Sequence, residues 1–235
     1  MNIIVTGASR GIGYELVKLF SAGKHTVIAL ARNEQKLNQL QKECLLNNSN
    51  ARVITLVMDL QEEGSLDKLK GAIAQTEGSI DVLINNAGAL VNKPFMELTL
   101  SDFNKAYSVN VFSAARIIQA VLPHLNTTVR AHVVNISSIG GFQGSVKFGG
   151  LSAYSSSKAA IACLTECLAE EYKDSRISFN CLALGAVQTE MLEEAFPGYQ
   201  APVSGGQMAA YIADFALNAQ HYLNGKIIPV SMSTP

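Results

Sequence analysis

The chain lacks an excess of charge of either sign. Eighteen Lys and Arg against nineteen Asp and Glu leave a net charge of −1, which removes the electrostatic case for a nucleic-acid or anionic-membrane partner. It also lacks an apolar run approaching the length of a membrane span. Its first residues read as a strand, with neither the charged region nor the cleavage site of a signal peptide, so a cytoplasmic protein is expected. Cysteines are few: Cys44, Cys163, Cys167 and Cys181. Cys163 and Cys167 stand at a spacing that shares one helix face, but no second ligand pair lies nearby, which argues against zinc. Buried reduced thiols are the expectation. His25, His124, His132 and His221 are scattered at no metal or triad spacing, and no metal is expected. No linker, repeat or low-complexity stretch interrupts the chain, so residues 1–235 are read as one domain, although this length also suits two small ones.

What is present is apolar. Hydrophobic residues make up 48% and mean hydropathy is +0.18. A parallel sheet covered on both faces explains this, because its strands are apolar on both sides. Short β-branched runs at 2–6, 25–30, 52–57, 81–85, 131–137, 176–182 and 226–230 alternate with helical patterns at 12–22, 33–46, 63–76, 101–125, 153–173 and 205–217. This alternation predicts βαβ units, a doubly wound α/β fold with helices on both faces, and chemistry at the carboxyl ends of the strands.

The first strand end carries the strongest signal. Ile3-Ile4-Val5 is followed by Thr6-Gly7-Ala8-Ser9-Arg10-Gly11-Ile12-Gly13 and then by an amphipathic stretch. A glycine turn between strand and helix presents backbone N–H groups and a positive helix end to an anion. Gly7 permits the tight turn, Gly11 a close approach of backbone to pyrophosphate, and Gly13 close packing of helix on strand. The pattern predicts a dinucleotide site.

Other strand ends supply more polar groups: Asp59-Leu60 after the third, Asn86-Ala87-Gly88 after the fourth, Ser137 and Ser138 at the fifth, and Gly185, Val187 and Thr189 after the sixth. The helix after the fifth strand opens Tyr154-Ser155-Ser156-Ser157-Lys158. Four residues apart, Tyr154 and Lys158 share a face. An ammonium near a phenol favours phenolate, which makes Tyr154 a usable general acid/base. Taken alone the pair is also an ordinary pair of helix neighbours.

Together, Thr6-Gly7-x-x-x-Gly11-Ile12-Gly13, Asn85-Asn86-Ala87-Gly88, Asn110, Ser138, Tyr154-x-x-x-Lys158 and Gly185-x-Val187-x-Thr189 resemble the classical short-chain dehydrogenase/reductase family, over essentially the whole chain. The resemblance implies a single-domain Rossmann-type fold with seven parallel strands, and nicotinamide-dependent hydride transfer. By it, Tyr154 gives or takes the proton at the substrate oxygen. Lys158 lowers the tyrosine pKa and holds the nicotinamide ribose, and Ser138, preferred over Ser137, orients the substrate oxygen. Asn110, in the helix after the fourth strand, helps bind water in a proton relay. Gly7, Ser9, Arg10, Gly11, Ile12, Gly13, Asn86, Ala87, Gly88, Gly185, Val187 and Thr189 border the cofactor, and Asp59 with Leu60 lies at its adenine. Two departures stand out. Leu184 replaces the family's usual Pro, which predicts a looser entry to the substrate lid. The interval from Ser138 to Tyr154 is a few residues long.

No carboxylate follows the second strand, where an NAD-preferring fold places one on the ribose 2′-OH. Arg32 stands there instead, and with Arg10 it resembles an NADP-preferring pair; NADP(H) is expected, with NAD(H) possible. Residues 188–205 form the expected lid. Met191, Leu192, Phe196 and Tyr199 in it, with Phe142 and Phe148 before Tyr154, predict an apolar carbonyl or alcohol substrate. The apolar stretch 109–122 and the run Ala159 to Leu164 predict a homodimer or homotetramer through those helices. The rival is a non-catalytic NAD(P)-binding redox sensor or scaffold, whose signature is a broken Ser/Tyr/Lys set beside an intact glycine turn.

Overall fold

A computed structural model describes residues 1–62, 64–76 and 78–232. In chain order the main elements are β1 (Asn2–Thr6), α1 (Gly11–Ala22), β2 (Thr26–Ala31), α2 (Glu34–Asn47), β3 (Arg52–Val57), α3 (Ser65–Ile73), β4 (Val82–Asn85), α4 (Leu100–Tyr107), α5 (Ser113–Val121), β5 (Ala131–Ser138), α6 (Ser152–Glu171), β6 (Ile177–Leu184), β7 (Val187–Gln188), α7 (Glu190–Ala195), β8 (Val203–Ser204), α8 (Gly205–Asn218) and β9 (Lys226–Val230). Seven strands form one parallel sheet in the order β3-β2-β1-β4-β5-β6-β9, and β7 pairs with β8 apart from it. The order reverses between β1 and β4, so a crevice opens beyond their carboxyl ends, where doubly wound sheets bind ligands.

Alternate residues of each strand feed opposite faces. On β1, Ile3 and Val5 join a core with Leu16 and Phe20 of α1, Leu37 of α2 and Ile212 and Phe215 of α8. Ile4 joins the other core, with Leu69 of α3, Ile117 and Val121 of α5 and Phe179 of β6. Burial on both faces accounts for the high apolar content.

Three expectations need correction. The pattern over 101–125 is not one helix: a π-helical turn at Ser108–Phe112 separates α4 from α5. Within it Asn110 turns inward to bond Ala89, and Ser113 Oγ donates to the Ser108 carbonyl at 2.7 Å. Leu184 does not loosen the lid entry. It is buried, stays in the ladder between Ser138 and Val230, and is followed by a bond from Gly185 N–H to the Val230 carbonyl at 2.9 Å. Of the cysteines, Cys44 and Cys181 are buried but Cys163 and Cys167 are exposed on α6. Among the described residues no helix is long and apolar enough to cross a membrane, and no group of three or more His, Cys, Asp or Glu is placed to hold a metal.

Candidate active site

The sheet edge beyond β1 and β4 is tied together by Thr6 and Asn86. Thr6 Oγ1 accepts from the Asn86 and Ala87 N–H groups, both at 3.0 Å, and Asn86 Nδ2 donates to the Thr6 carbonyl at 3.0 Å. The glycine turn lies against this seam. Gly7 has φ +70°, and a Cβ there would come within 2.8 Å of Ala87 Cα; a Cβ on Gly13 would overlap the Gly7 carbonyl. Only glycine fits both places. Arg10 stands at the N-cap of α1 in extended backbone, and its side chain takes none of the first-turn N–H groups. The positive end of α1 therefore faces the crevice with donors to spare.

The crevice is a cavity of about 600 Å³. Gly7, Ser9, Arg10, Gly11, Ile12, Arg32, Asp59, Leu60, Asn86, Ala87, Gly88, Ser138, Tyr154, Lys158, Gly185, Val187 and Thr189 all line it. Two expected residues do not: Gly13 packs beneath the turn, and Asn110 lies behind the wall. By strand order, Arg32 and Asp59 mark one end and Ser138 and Tyr154 the other. A uncapped helix end, a turn too tight for any side chain and a long cavity crossing the switch point fit a dinucleotide.

At the far end, Ser138 and Ser137 part company. Ser137 Oγ donates to the Lys158 carbonyl at 2.6 Å and so pins α6 to β5. Ser138 Oγ accepts from Gly140 N–H at 3.2 Å and lies near enough to the Tyr154 hydroxyl to pull its pKa down. Lys158, buried one turn beyond Tyr154, donates from Nζ to the Ile136 carbonyl at 2.8 Å, with Nζ 5.9 Å from the Tyr154 ring centre. Burial pushes the Lys158 ammonium down to about 8. Burial also pushes the Tyr154 phenol above its usual value, against the pull of Ser138. The expectation that Lys158 lowers the tyrosine pKa is thus not met in this arrangement: the ammonium is turned to a carbonyl.

Asn110 is fully engaged from behind. Its Oδ1 accepts from Ala89 N–H at 2.8 Å, and its Nδ2 donates to the Ala89 carbonyl at 2.9 Å and to Ser157 Oγ at 2.8 Å. Both amide hydrogens are spent, so the side chain holds the loop after β4 and the start of α6 in register rather than offering a donor to water. Gly88 stands between, with a Cβ position 3.5 Å from Asn110 Oδ1 and 3.6 Å from Lys158 Nζ. Sequence reading missed Ser157, Ile136 and the seam role of Thr6, because their contributions are a hydrogen bond to a distant residue, a backbone carbonyl and a cross-strand contact.

The expected Arg10–Arg32 pair is also not assembled. The Arg10 guanidinium is taken by Glu194 of α7, through Nη1 to Oε1 and through Nη2 to Oε2 at 3.2 Å. Arg32 is exposed, with Nη1 3.9 Å from Asp59 Oδ2. The lid itself holds a short helix that sequence reading did not foresee, capped by Thr189, which accepts from Leu192 N–H at 3.4 Å. Phe148, Leu151, Met191, Leu192, Phe196 and Tyr199 line the cavity from the lid and the long loop; Phe142 does not.

Comparison with known proteins places the chain in a family. A family model described as short chain dehydrogenase matches residues 1–200. An uncharacterized oxidoreductase of Staphylococcus epidermidis is 26% identical over 94% of this chain and 92% of its own. A chloroplastic tropinone reductase homologue of Arabidopsis thaliana is 30% identical over 98% of this chain and 74% of its own. Among solved structures, levodione reductase superposes with a TM-score of 0.87 at 24% identity, covering 98% of this chain and 95% of that one. L-sorbose reductase from Gluconobacter frateurii, complexed with NADPH and L-sorbose, gives 0.87 at 20% identity, covering 99% and 95%. The chain belongs to the classical short-chain dehydrogenase/reductase family and is an oxidoreductase of that family.

Proposed function

We propose that the protein is an NADP(H)-dependent oxidoreductase that interconverts an alcohol and a carbonyl. The observation that carries this reading is the meeting of the Tyr154 and Ser138 hydroxyls, with Lys158 beside them, in the cavity that begins at the glycine turn.

Gly7, Ser9, Gly11 and the N-terminus of α1 would hold the pyrophosphate, Asp59 and Leu60 the adenine side, and Lys158, Asn86, Gly88, Gly185, Val187 and Thr189 the nicotinamide half. A nicotinamide dinucleotide bound there supplies the hydride to the carbonyl carbon, or accepts it from the alcohol carbon. In reduction, Tyr154 transfers its phenolic proton to the substrate oxygen as charge develops on it, and Ser138 donates a hydrogen bond to that oxygen. The phenolate left behind is stabilised by the Lys158 ammonium once it turns from the Ile136 carbonyl. Oxidation runs these proton steps backwards. Asn110 acts as a positioning residue through Ala89 and Ser157.

Arg32 supports the choice of NADP(H), since a guanidinium suits a 2′-phosphate and β2 ends on no carboxylate of its own for a ribose 2′-OH; NAD(H) remains the alternative cofactor. The apolar lining supports an apolar small-molecule substrate, with residues 188–205 as its lid in a chain that folds as one domain over 1–235. Exposed Phe112 on the π turn and exposed Ala159 and Cys163 on α6 support a homodimer or homotetramer through that face. The rival, a non-catalytic redox sensor, is disfavoured by the completeness of the Ser/Tyr/Lys set. Turnover of apolar ketones with NADPH by the wild type, and none by Tyr154→Phe, tests the reading; turnover only of small, highly charged substrates contradicts the substrate class.

A further inference from the structure

The lid meets the glycine turn through charge. Arg10 and Glu194 face each other fork to fork, although 184 residues separate them. Glu190, one turn earlier on α7, acts on the same guanidinium, and a Cβ placed on Gly11 would lie 3.5 Å from its Oε2. Lid carboxylates therefore stand where the cradle fits an anion. The next residue, Ala195, is held differently: its carbonyl accepts from Asn92 Nδ2 at 3.0 Å, in the loop after β4. So α7 is pinned at two points, one charged and on the cofactor side, the other neutral.

A guanidinium fork binds a carboxylate and a phosphate with the same pair of N–H groups. Arg10 cannot offer that pair to both at once. We propose that Glu194 is a specificity-determining residue: its carboxylate competes with the cofactor 2′-phosphate for Arg10, so that the lid's grip on the glycine turn opposes selection of NADP(H). This rests on the reading of Arg10 and Arg32 as 2′-phosphate ligands. A 2′-phosphorylated cofactor draws Arg10 away from α7 and leaves the Asn92 contact to hold the lid; a cofactor with a free 2′-OH leaves the Arg10–Glu194 pair closed. The pyrophosphate is common to both cofactors, so any competition there cancels in their ratio. Both side chains are substantially exposed, 44% and 62%, which sets the effect at up to about fivefold in an equilibrium constant.

The test is the dissociation constant of NADPH and of NADH, read by nicotinamide fluorescence at low salt, for the wild type and four variants. Glu194→Gln is expected to tighten NADPH about threefold to fivefold relative to NADH. Asn92→Ala, which loosens the lid without touching Arg10, shifts both cofactors alike. Arg10→Gln erodes the NADPH preference, and adding Glu194→Gln to it changes the ratio no further. If Arg10→Gln erodes the preference while Glu194→Gln moves both cofactors equally or neither, the competition is overturned and the cofactor reading stands. If Arg10→Gln leaves the ratio unchanged, Arg10 is no 2′-phosphate ligand and the competition is overturned, while the choice of cofactor then rests on Arg32 alone.

Discussion

Asn110, inside the π turn between α4 and α5, donates to Ser157 Oγ at 2.8 Å, and Ser157 passes the restraint to the Tyr154 carbonyl at 2.6 Å. Three hydrogen bonds of one buried amide thus fix the loop after β4 against the turn of helix that carries Tyr154 and Lys158. Asn110→Leu keeps the shape but orphans both backbone groups of Ala89. It is expected to cost about 2–4 kcal/mol and to lower Tm by roughly 6–12 °C. Ser157→Ala breaks only the link to α6; it should lower kcat with KM nearly unchanged and cost about 1 kcal/mol. Thermal unfolding and steady-state kinetics on the two variants check this.

On the proposed mechanism, Lys158 sets a pH limit for carbonyl reduction. Burial lowers its ammonium to about 8, so it is protonated below that pH and loses its proton as pH rises through it. The phenol of Tyr154, pushed up by burial, stays protonated over the same range. Carbonyl reduction by kcat/KM is therefore expected to hold level in the neutral range and to decline above about pH 8. Lys158→Met should abolish that limb and lower the rate at every pH. A wild-type profile level well beyond pH 9 would place the proton elsewhere.

Arg32 stands at the end of β2, with Nη1 3.9 Å from Asp59 Oδ2. A charge-assisted bond to a 2′-phosphate contributes roughly 1.5–3 kcal/mol, so Arg32→Asp should lower the NADPH/NADH ratio of kcat/KM by roughly tenfold to a hundredfold. An unchanged ratio would leave Arg32 as a solvated residue at the entry to α2.

His132 ties stability to acid. Its Nδ1 donates to the Ala216 carbonyl at 3.0 Å, and its Nε2 accepts from Asn180 Nδ2 at 2.9 Å, which fixes a neutral imidazole inside the protein. Burial lowers its pKa from 6.5 to about 4. Between those values the unfolded chain binds the proton and the folded one does not, so stability is full above about pH 6.5 and falls as pH drops towards 4. The loss should approach about 3 kcal/mol. Urea unfolding at pH 7, 5.5 and 4 measures it, and His132→Gln should be less stable at pH 7 but show a shallower fall.

The strands were legible almost to the residue, because short β-branched runs bounded by helical patterns leave little ambiguity; β1, β3 and β9 begin and end where the pattern placed them. The site residues were legible because each sits at a strand end that the topology gathers on one edge. The break at Ser108–Phe112 was not, since the partner that Asn110 turns inward to bond is the distant Ala89. Helix α7 carried a local signal in Thr189 followed by Glu190 and Glu193, but six residues are too few to show a period. The pairing of Arg10 with Glu194 joins residues 184 apart, and nothing local announces it. The exposed Cys163 and Cys167 show the same limit: the composition of a helix does not say which side meets solvent.

The most direct measurement is a titration of the purified protein and of Tyr154→Phe with NADPH and with NADH, followed by a carbonyl screen on both. The expected result is tight NADPH binding by both proteins, within about twofold of each other, and turnover by the wild type alone, since general acid catalysis contributes roughly 10²–10⁴ in rate. Failure of both proteins to bind either cofactor would make the glycine turn structural and contradict the oxidoreductase reading of this site.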